Sequence, residues 1–340
     1  MKKEKPPVLG KVLRKDLKAI IIGVSRYKYL TDKDGIENAN IPNASNDAHA
    51  LDNFLRFNWH MPAGDILFLP EEMSCVEAVE KITGFLAGLE PKDHLLFYYS
   101  GHGVVGDHIV KDANGTVKAG GGKAYITFND TRVNEENGKL IAENVLPLSH
   151  LNQLFQECKA EIKLRFFDCC HCGESFVNLK NAPAQPVTRA LKQSPVTTRP
   201  TARGLSTLVE KLYSEPKGMS PEQLNEEYAK ELDAVWRRHS LLTGIMHPNM
   251  CKEILEVEKG WVTICACGLD ERAYLTRDWL ARRRGLFSYY LVKGLGKYTS
   301  NEDETFYIED LKLYIYDNVL KANERQHVQY QCSLSGNLIL

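Results

Sequence analysis

Two short segments of this 340-residue chain combine residue types that could perform nucleophilic chemistry. One is Tyr-Ser-Gly-His-Gly at residues 99–103, and the other is Asp-Cys-Cys-His-Cys-Gly at residues 168–173. Each follows an apolar run, so each is predicted to stand at the end of a buried strand. A thiolate can attack a carbonyl while an imidazole accepts and returns the proton. A cysteine and a histidine placed in this way favour a cysteine hydrolase.

Alternation along a strand separates the neighbouring cysteines. If the extended conformation continues past each apolar run, Ser100 and His102 share one face, and Asp168 and Cys170 share another. The pairing of Asp168 with Cys170 is therefore favoured over its pairing with Cys169.

Glycines flank the histidine on both sides. Because glycine has no side chain, Gly101 and Gly103 are predicted to let a substrate backbone approach closely and to leave amides uncovered. The N–H groups of Gly103 and Cys170 are the candidate donors for stabilising a tetrahedral oxyanion.

Several of these residues also have ordinary interpretations. Residues 169–172 could supply half of a zinc site, but such sites need four ligands and no matching second cluster is evident. An Asn-Asp pair such as Asn46-Asp47 is a normal feature of a helix N-terminus. The three arginines at 282–284 are interpreted as a solvated basic turn before a helix. Cysteines outside the motif are interpreted as core or incidental residues, because cysteine is commonly buried.

The elements that must position the two motifs follow from periodicity. Strands are predicted at 18–24, 65–69, 94–99, 162–167 and 261–267, and helices at 46–57, 74–89, 285–294 and 308–325. Strands that alternate with helices imply parallel crossover connections and a sheet covered by helices on both faces. In such sheets ligands bind beyond the carboxyl ends of the strands, where both motifs stand. The predicted fold class is α/β with a mostly parallel sheet.

The middle of the chain differs in composition. Residues 181–203 carry several prolines among serines and threonines and are predicted to be an exposed linker. A helical insertion is predicted at 204–259, with a helix that begins at Ser220. Residues 1–180 and 260–340 are predicted to complete one sheet together.

Composition excludes several functional classes. With 43% hydrophobic and 26% charged residues, the chain is typical of globular proteins. A formal charge of -1 offers no basic footprint for nucleic acid. No apolar run is long enough to cross a bilayer, and no signal-peptide pattern follows the first residues. Nine cysteines, an odd number, do not suggest a disulfide framework. We therefore expect a cytoplasmic protein that binds neither nucleic acid nor membrane.

Together the two segments resemble the histidine and cysteine motifs of the caspase superfamily, and among its branches metacaspases and prokaryotic orthocaspases. Further landmarks appear in the family's order at residues 20–27, 46–47, 262–267 and 285–290. The resemblance implies a caspase-like three-layer sandwich, in which helices cover both faces of a mostly parallel sheet.

The resemblance assigns roles residue by residue. His102 matches the general base and Cys170 the nucleophile. Asp47, Ser100 and Asp168 match residues that line the primary specificity pocket of metacaspases. Carboxylates in a partly desolvated pocket favour a guanidinium or an ammonium group. The predicted activity is therefore endopeptidase cleavage after Arg or Lys.

Three positions depart from the pattern of metacaspases. Cys172 replaces a serine, Ala44 stands where a cysteine is common, and Val177 stands where an acidic residue is expected. The last change weighs against calcium activation, because calcium needs several oxygen ligands and residues 130–136 form only a diffuse acidic stretch. We predict no metal and no cofactor.

The resemblance also implies a protein partner. Prokaryotic relatives are implicated in cell-death or defence pathways, in which they process a pore-forming or toxin-like effector. Self-cleavage is predicted in the linker at Arg189, Lys192 or Arg203, which are exposed basic residues. Two alternatives stay open: a catalytically silent caspase-like interaction module, which the presence of both dyad residues disfavours, and an esterase or amidase with the same dyad.

Overall fold

Short apolar runs of the sequence form the central strands of one sheet in the computed structural model. The structure describes residues 10–12, 16–30, 40–41, 43–111, 117–136, 139–171, 220, 222–224, 226, 230, 248–256, 258–268, 271–276, 284–299, 307–334 and 337–339. The strands are β1 (Gly10–Val12), β2 (Leu17–Gly23), β3 (Ile66–Leu69), β4 (His94–Lys111), β5 (Val117–Glu136), β6 (Lys139–Pro147), β7 (Ile162–His171), β8 (Trp261–Cys265), β9 (Gln329–Cys332) and β10 (Asn337–Ile339). The helices are α1 (Ala44–Phe57), α2 (Cys75–Ala87), α3 (Leu148–Glu157), α4 (Pro248–Leu255), α5 (Leu286–Thr299) and α6 (Ile308–Ala322).

The main sheet has the strand order β3-β2-β4-β7-β8-β9. Every neighbouring pair along this path is parallel except the last, in which β9 runs antiparallel to β8. β5 and β6 pair antiparallel with each other, and both pair with the distal part of β4. β1 and β10 form a separate two-stranded parallel sheet.

Helices cover both faces of the main sheet. Helices α2, α3 and α4 bury their apolar sides against one face, and α1, α5 and α6 bury theirs against the other. Successive strand residues supply the two cores in alternation, as Phe97 and Tyr99 do on the first face and Leu96 and Tyr98 on the second. The prediction of a three-layer α/β sandwich with a mostly parallel sheet is confirmed.

Two central strands are longer than the apolar runs that predicted them. β4 continues from the predicted end at residue 99 to Lys111, and β7 continues from residue 167 to His171. The extension of β4 is paired with β5 and β6, which satisfy backbone groups that would otherwise lack partners. Residues 99–103 and 168–171 therefore lie inside extended strands, as the assignment of faces by alternation required.

One acidic residue from the diffuse stretch at 130–136 has a structural role. Asp130 Oδ1 accepts a hydrogen bond of 2.9 Å from the backbone N–H of Cys75 at the start of α2. The same helix end carries a capping box formed by Ser74 and Glu77. Asp130 thus joins β5 to the first turn of α2.

The middle of the chain is described only in part. The predicted linker at 181–203 lies outside the described residues, as does most of the predicted insertion at 204–259. Ser220 forms the predicted capping contacts with Gln223, and α4 buries Met250 completely in the core. The domain boundaries stay predictions. No helix in the described part of the chain is long and apolar enough to cross a membrane.

Candidate active site

The histidine and cysteine motifs lie side by side on the two central strands. β4 and β7 are parallel, and their register pairs Ser100 with Asp168 and His102 with Cys170. Neighbouring strands lie about 4.8 Å apart, so the backbone of the predicted base stands beside that of the predicted nucleophile. Cys169 is 1% exposed and belongs to the core on the α2 face.

Hydroxyl groups hold the backbone of His102 at both its N–H and its C=O. The N–H donates to the Tyr27 hydroxyl at 2.8 Å, and the tyrosine ring lies 5.0 Å from the imidazole ring. The carbonyl oxygen accepts from Tyr99 Oη at 2.7 Å and from Thr127 Oγ1 at 2.8 Å. The His102 N–H is thus engaged within the fold, and the N–H groups of Gly103 and Cys170 stay the predicted oxyanion donors.

The reason for a glycine at position 101 differs from the predicted one. A β-carbon there would lie 2.6 Å from the Tyr99 hydroxyl oxygen and 3.0 Å from that of Tyr27. These are internal contacts of a buried residue. Gly101 therefore makes room for the tyrosine hydroxyls, whereas the sequence had suggested room for a substrate backbone.

The predicted pocket acids meet on the α1 face of the sheet. Asp47 comes from the first turn of α1 and Asp168 from β7, and they are 0% and 7% exposed. A β-carbon at Gly285, which precedes α5, would lie 2.6 Å from Asp168 Oδ2 and 2.9 Å from Asp47 Oδ2. The two carboxylates therefore flank a backbone position that only glycine fits. Ser100, 1% exposed, lies beside Asp168 in the strand register.

Asp47 accepts hydrogen bonds at both carboxylate oxygens. Its Oδ2 accepts from the Gly285 N–H at 2.8 Å and from Asn43 Nδ2 at 2.9 Å. Its Oδ1 lies 2.5 Å from Arg284 Nε in an ion pair. Since its charged and backbone partners lie next to α5, Asp47 does more than open a helix.

Asp168 is bonded by the first turn of α5. Its Oδ2 accepts from Ser288 Oγ at 2.5 Å, and the same hydroxyl lies 2.5 Å from Tyr98 Oη. Arg284 Nη2 donates to the Ser288 carbonyl at 3.2 Å. Ser288 and Arg284 thus tie both acids to the start of one helix.

Burial makes both carboxylates weaker acids than usual. Desolvation raises the pKa of Asp47 to about 7, with Arg284 opposing the rise and Asp168 adding to it. Desolvation also raises the pKa of Asp168 to about 6, opposed by the Ser288 hydrogen bonds and by Arg284. A cation that entered the pocket would favour the ionised forms of both groups.

The interpretation of 282–284 as a solvated basic turn was wrong for Arg284. Its side chain is 17% exposed and pairs with the fully buried Asp47, because a buried carboxylate needs a charged or hydrogen-bonding partner. Residues 282 and 283 lie outside the described part of the chain. The landmark at 285–290 marked Gly285 and Ser288 only as part of a pattern, and no sequence signal joined Arg284 to Asp47, which lies 237 positions away.

The ordinary interpretation holds for most other cysteines. Within the described part of the chain, Cys75, Cys158, Cys265 and Cys267 are buried. No three His, Cys, Asp or Glu side chains among the described residues are grouped so that they could hold a metal ion. Two of the departures from the family pattern, Cys172 and Val177, lie outside the described residues.

Comparison with known proteins gives a family match over almost the whole chain. A family model described as the caspase domain, Peptidase_C14, matches residues 16–339. The fold is similar to that of caspase-1 from Spodoptera frugiperda, with 10% identity, a TM-score of 0.49 and coverage of 100% of this chain and 95% of that one. It is also similar to protein GSU0716 from Geobacter sulfurreducens, with 12% identity, a TM-score of 0.48 and coverage of 93% and 92%. No curated protein sequence matches this chain.

Proposed function

The chain belongs to the caspase domain family, and from that premise we propose that it is a cysteine endopeptidase that cleaves proteins after Arg or Lys. The observation that carries the proposal is the register of β4 and β7, which sets His102 beside Cys170 and Ser100 beside Asp168. In the proposed enzyme, His102 and Cys170 supply the reactive groups, and Ser100 and Asp168 line the specificity pocket.

The proposed reaction uses one thiol and one imidazole. His102 takes the proton of the Cys170 thiol, and the thiolate attacks the carbonyl carbon of the scissile peptide bond. The N–H groups of Gly103 and Cys170 hold the oxyanion. His102 then gives its proton to the leaving amine, so the peptide bond breaks and a thioester remains. A water molecule that His102 deprotonates hydrolyses the thioester and restores the thiol.

The charge of the pocket supports a preference for basic side chains. When both are ionised, Asp47 and Asp168 carry two negative charges, and Arg284 supplies one positive charge. The remaining single charge matches one guanidinium or ammonium group, while an acidic side chain would be repelled.

Cleavage of matched peptides tests the proposal. Fluorogenic peptides that differ only in Arg, Lys or Asp before the scissile bond are offered to the wild type and to Cys170→Ala and His102→Ala. We expect cleavage after Arg and Lys by the wild type alone. Cys169→Ala is the control and is expected to stay active, because Cys169 lies in the core on the α2 face. If Cys170→Ala stays active and Cys169→Ala loses activity, the nucleophile is Cys169 and the proposed assignment to Cys170 is wrong.

A labelling experiment separates an enzyme from a silent interaction module. An electrophilic Arg-peptide probe should form a covalent bond with Cys170 in the wild type, and mass spectrometry identifies the labelled residue. A folded wild type that the probe does not label would favour the interaction module.

The proposed partner is a protein with an accessible Arg or Lys, such as a pore-forming or toxin-like effector. Mapping the new N-termini that appear in a proteome after addition of active enzyme reports both the preferred residue and the target. Self-cleavage at Arg189, Lys192 or Arg203 belongs to the same proposal. If wild type and Cys170→Ala stay equally intact during incubation, self-processing is excluded under those conditions.

A further inference from the structure

The backbone of His102 is held by side chains from three separate parts of the fold. Tyr27 follows β2, Tyr99 lies on β4 and Thr127 lies on β5. All are essentially inaccessible to solvent, with exposures between 0% and 1%. Hydrogen bonds in such a dry environment are strong, and their loss leaves buried polar groups without partners.

The three hydroxyls also contact one another. Thr127 Oγ1 lies 3.2 Å from the Tyr27 hydroxyl oxygen and 3.3 Å from that of Tyr99. Tyr99 Oη further accepts from the Thr127 N–H at 3.1 Å. Thr127 therefore lies at the centre of a group of three hydroxyls that hydrogen-bond to the backbone N–H and C=O of His102. We call these three residues the hydroxyl cluster.

The cluster reaches the histidine only because position 101 is glycine. As described above, a β-carbon at Gly101 would collide with the hydroxyl of Tyr99 and press on that of Tyr27. The lack of a side chain at Gly101 thus leaves space for the hydroxyl cluster beside His102. The hydrogen bonds and the missing β-carbon both indicate that this part of the fold fixes the backbone of His102.

We propose that Tyr27, Tyr99 and Thr127 are positioning residues that hold His102 in register with Cys170 for proton transfer. The inference rests on the proposed function, since it assumes that these two residues react. The cluster touches the backbone of His102 and acts on chemistry through it. A small displacement of a catalytic group can cost about a hundredfold in rate. Ground-state binding of the peptide, by contrast, depends on the separate acid pocket.

Two substitutions of Thr127, one that removes the hydroxyl and one that keeps it, test the inference. Thr127→Val removes the central hydroxyl at nearly constant volume, and Thr127→Ser retains it. We expect kcat for an Arg peptide to fall about 10- to 100-fold in Thr127→Val, with KM within about twofold of the wild type. Thr127→Ser should stay within about threefold of the wild-type kcat. Tyr27→Phe, which keeps the ring and removes the hydroxyl, should behave like Thr127→Val.

The control is a second buried threonine. Thr263 on β8 is 0% exposed, and its hydroxyl accepts from Arg165 away from the histidine. Thr263→Val should lower the melting temperature and leave kcat of the folded protein unchanged. A kcat loss of the same size in Thr263→Val would show a general effect of lost buried hydroxyls and would overturn the inference.

A second readout follows the thiol directly. Alkylation of Cys170 by iodoacetamide, measured by mass spectrometry across pH 5 to 9, reports thiolate formation. In Thr127→Val the pH profile should shift upward toward that of an ordinary thiol, because a displaced imidazole stabilises the thiolate less. Equal kcat and equal alkylation profiles for Thr127→Val and Thr127→Ser overturn the inference while the proposed function stands. A wild type that neither cleaves peptides nor depends on His102 for alkylation overturns the proposed function and, with it, this inference.

Discussion

Asp47 and Asp168 carry the charge on which the proposed recognition of a basic side chain depends. Their pKa values are raised to about 7 and about 6, so both carboxyls gain protons as the pH falls from 8 to 5. Protonation removes the attraction for a cation. We therefore expect the Kd of an Arg peptide to rise at least about tenfold over this range.

The measurement uses the Cys170→Ala protein, so that cleavage does not interfere. Fluorescence polarisation gives the Kd for an Arg peptide and for a matched Gln peptide at each pH. The Gln peptide should show little pH dependence, because its side chain is uncharged. A parallel rise for both peptides would assign the effect to something other than the pocket charge.

We expect Arg284 to influence the pH at which affinity for the Arg peptide is lost. It lowers the pKa of both acids, so Arg284→Gln should raise both values. The Kd of the Arg peptide should then begin to rise at a higher pH than in the protein that retains Arg284. Arg56→Gln is the matched control, since it breaks an ion pair with Asp52 on α1 outside the pocket. Superimposable binding curves for the two variants would contradict this prediction.

At the scale of elements, the start of α5 can lie close to the sheet because Gly285 has no side chain. A β-carbon at Gly285 would meet the carboxylates of Asp47 and Asp168 at less than 3 Å. Gly285→Ala should therefore displace the acids, lower the melting temperature and raise KM for Arg peptides about tenfold or more. A β-carbon at Gly84 on α2 would have no atom within 4 Å apart from those of its chain neighbours and its own helix backbone. Gly84→Ala should instead stabilise the protein by about 0.5–1 kcal/mol, with KM unchanged.

A buried arginine on β7 holds α3 and α4 against the opposite face. Arg165 is 0% exposed, stacks 4.1 Å above the Trp261 ring, and donates to Asn152 Oδ1 at 2.8 Å and Thr263 Oγ1 at 2.9 Å. It also donates to the carbonyl of Glu256, just beyond α4. A lysine cannot supply donors in so many directions.

Arg165→Lys should therefore cost about 2–3 kcal/mol of unfolding free energy, measured by chemical denaturation. KM for an Arg peptide should be unchanged, because Arg165 faces away from the acid pocket. A variant as stable as the wild type would show that the hydrogen bonds of Arg165 contribute little net stability.

The central strands were predictable because each contains a short apolar run with clear bounds, and α1 was predictable because its apolar residues recur at helical spacing. α1 and β2 begin within two residues of their predicted starts. β5 was not predicted, because three consecutive glycines at 120–122 interrupt any alternation. The length of β4 depends on pairing with β5 and β6, a tertiary contact that no local pattern reports.

The same limit applies to the site. Strand alternation selected Cys170 over Cys169, and the core position of Cys169 supports that choice. Partners such as Arg284 for Asp47 and Tyr27 for His102 come from distant segments and were missed. Tyr27 appeared in the sequence only as part of a family landmark, because its contact with His102 spans 75 positions.

At the scale of the whole molecule, one sheet joins the two sides of the predicted linker. β8 lies between β7, which precedes residues 181–203, and β9, which follows them. β8 is completely buried. A chain cut within 181–203 should therefore stay together, as two bands on a denaturing gel but one peak in size-exclusion chromatography.

A Cys170→Ala chain with a sequence-specific protease site inserted between residues 189 and 192 makes the cut controllable. Its melting temperature before and after cutting shows whether the sheet stays intact. Separate elution of the two pieces under native conditions would contradict the prediction.

The acid pocket has a consequence for the order of synthesis. Asn43 and Asp47 leave the ribosome early, whereas Gly285 and Ser288 follow more than 230 residues later. At about 5–20 residues per second, this separation lasts on the order of ten seconds or more. No nascent chain shorter than 288 residues holds a complete pocket. In the proposed protease, cleavage after a basic residue would therefore have to wait until residue 288 has been synthesised.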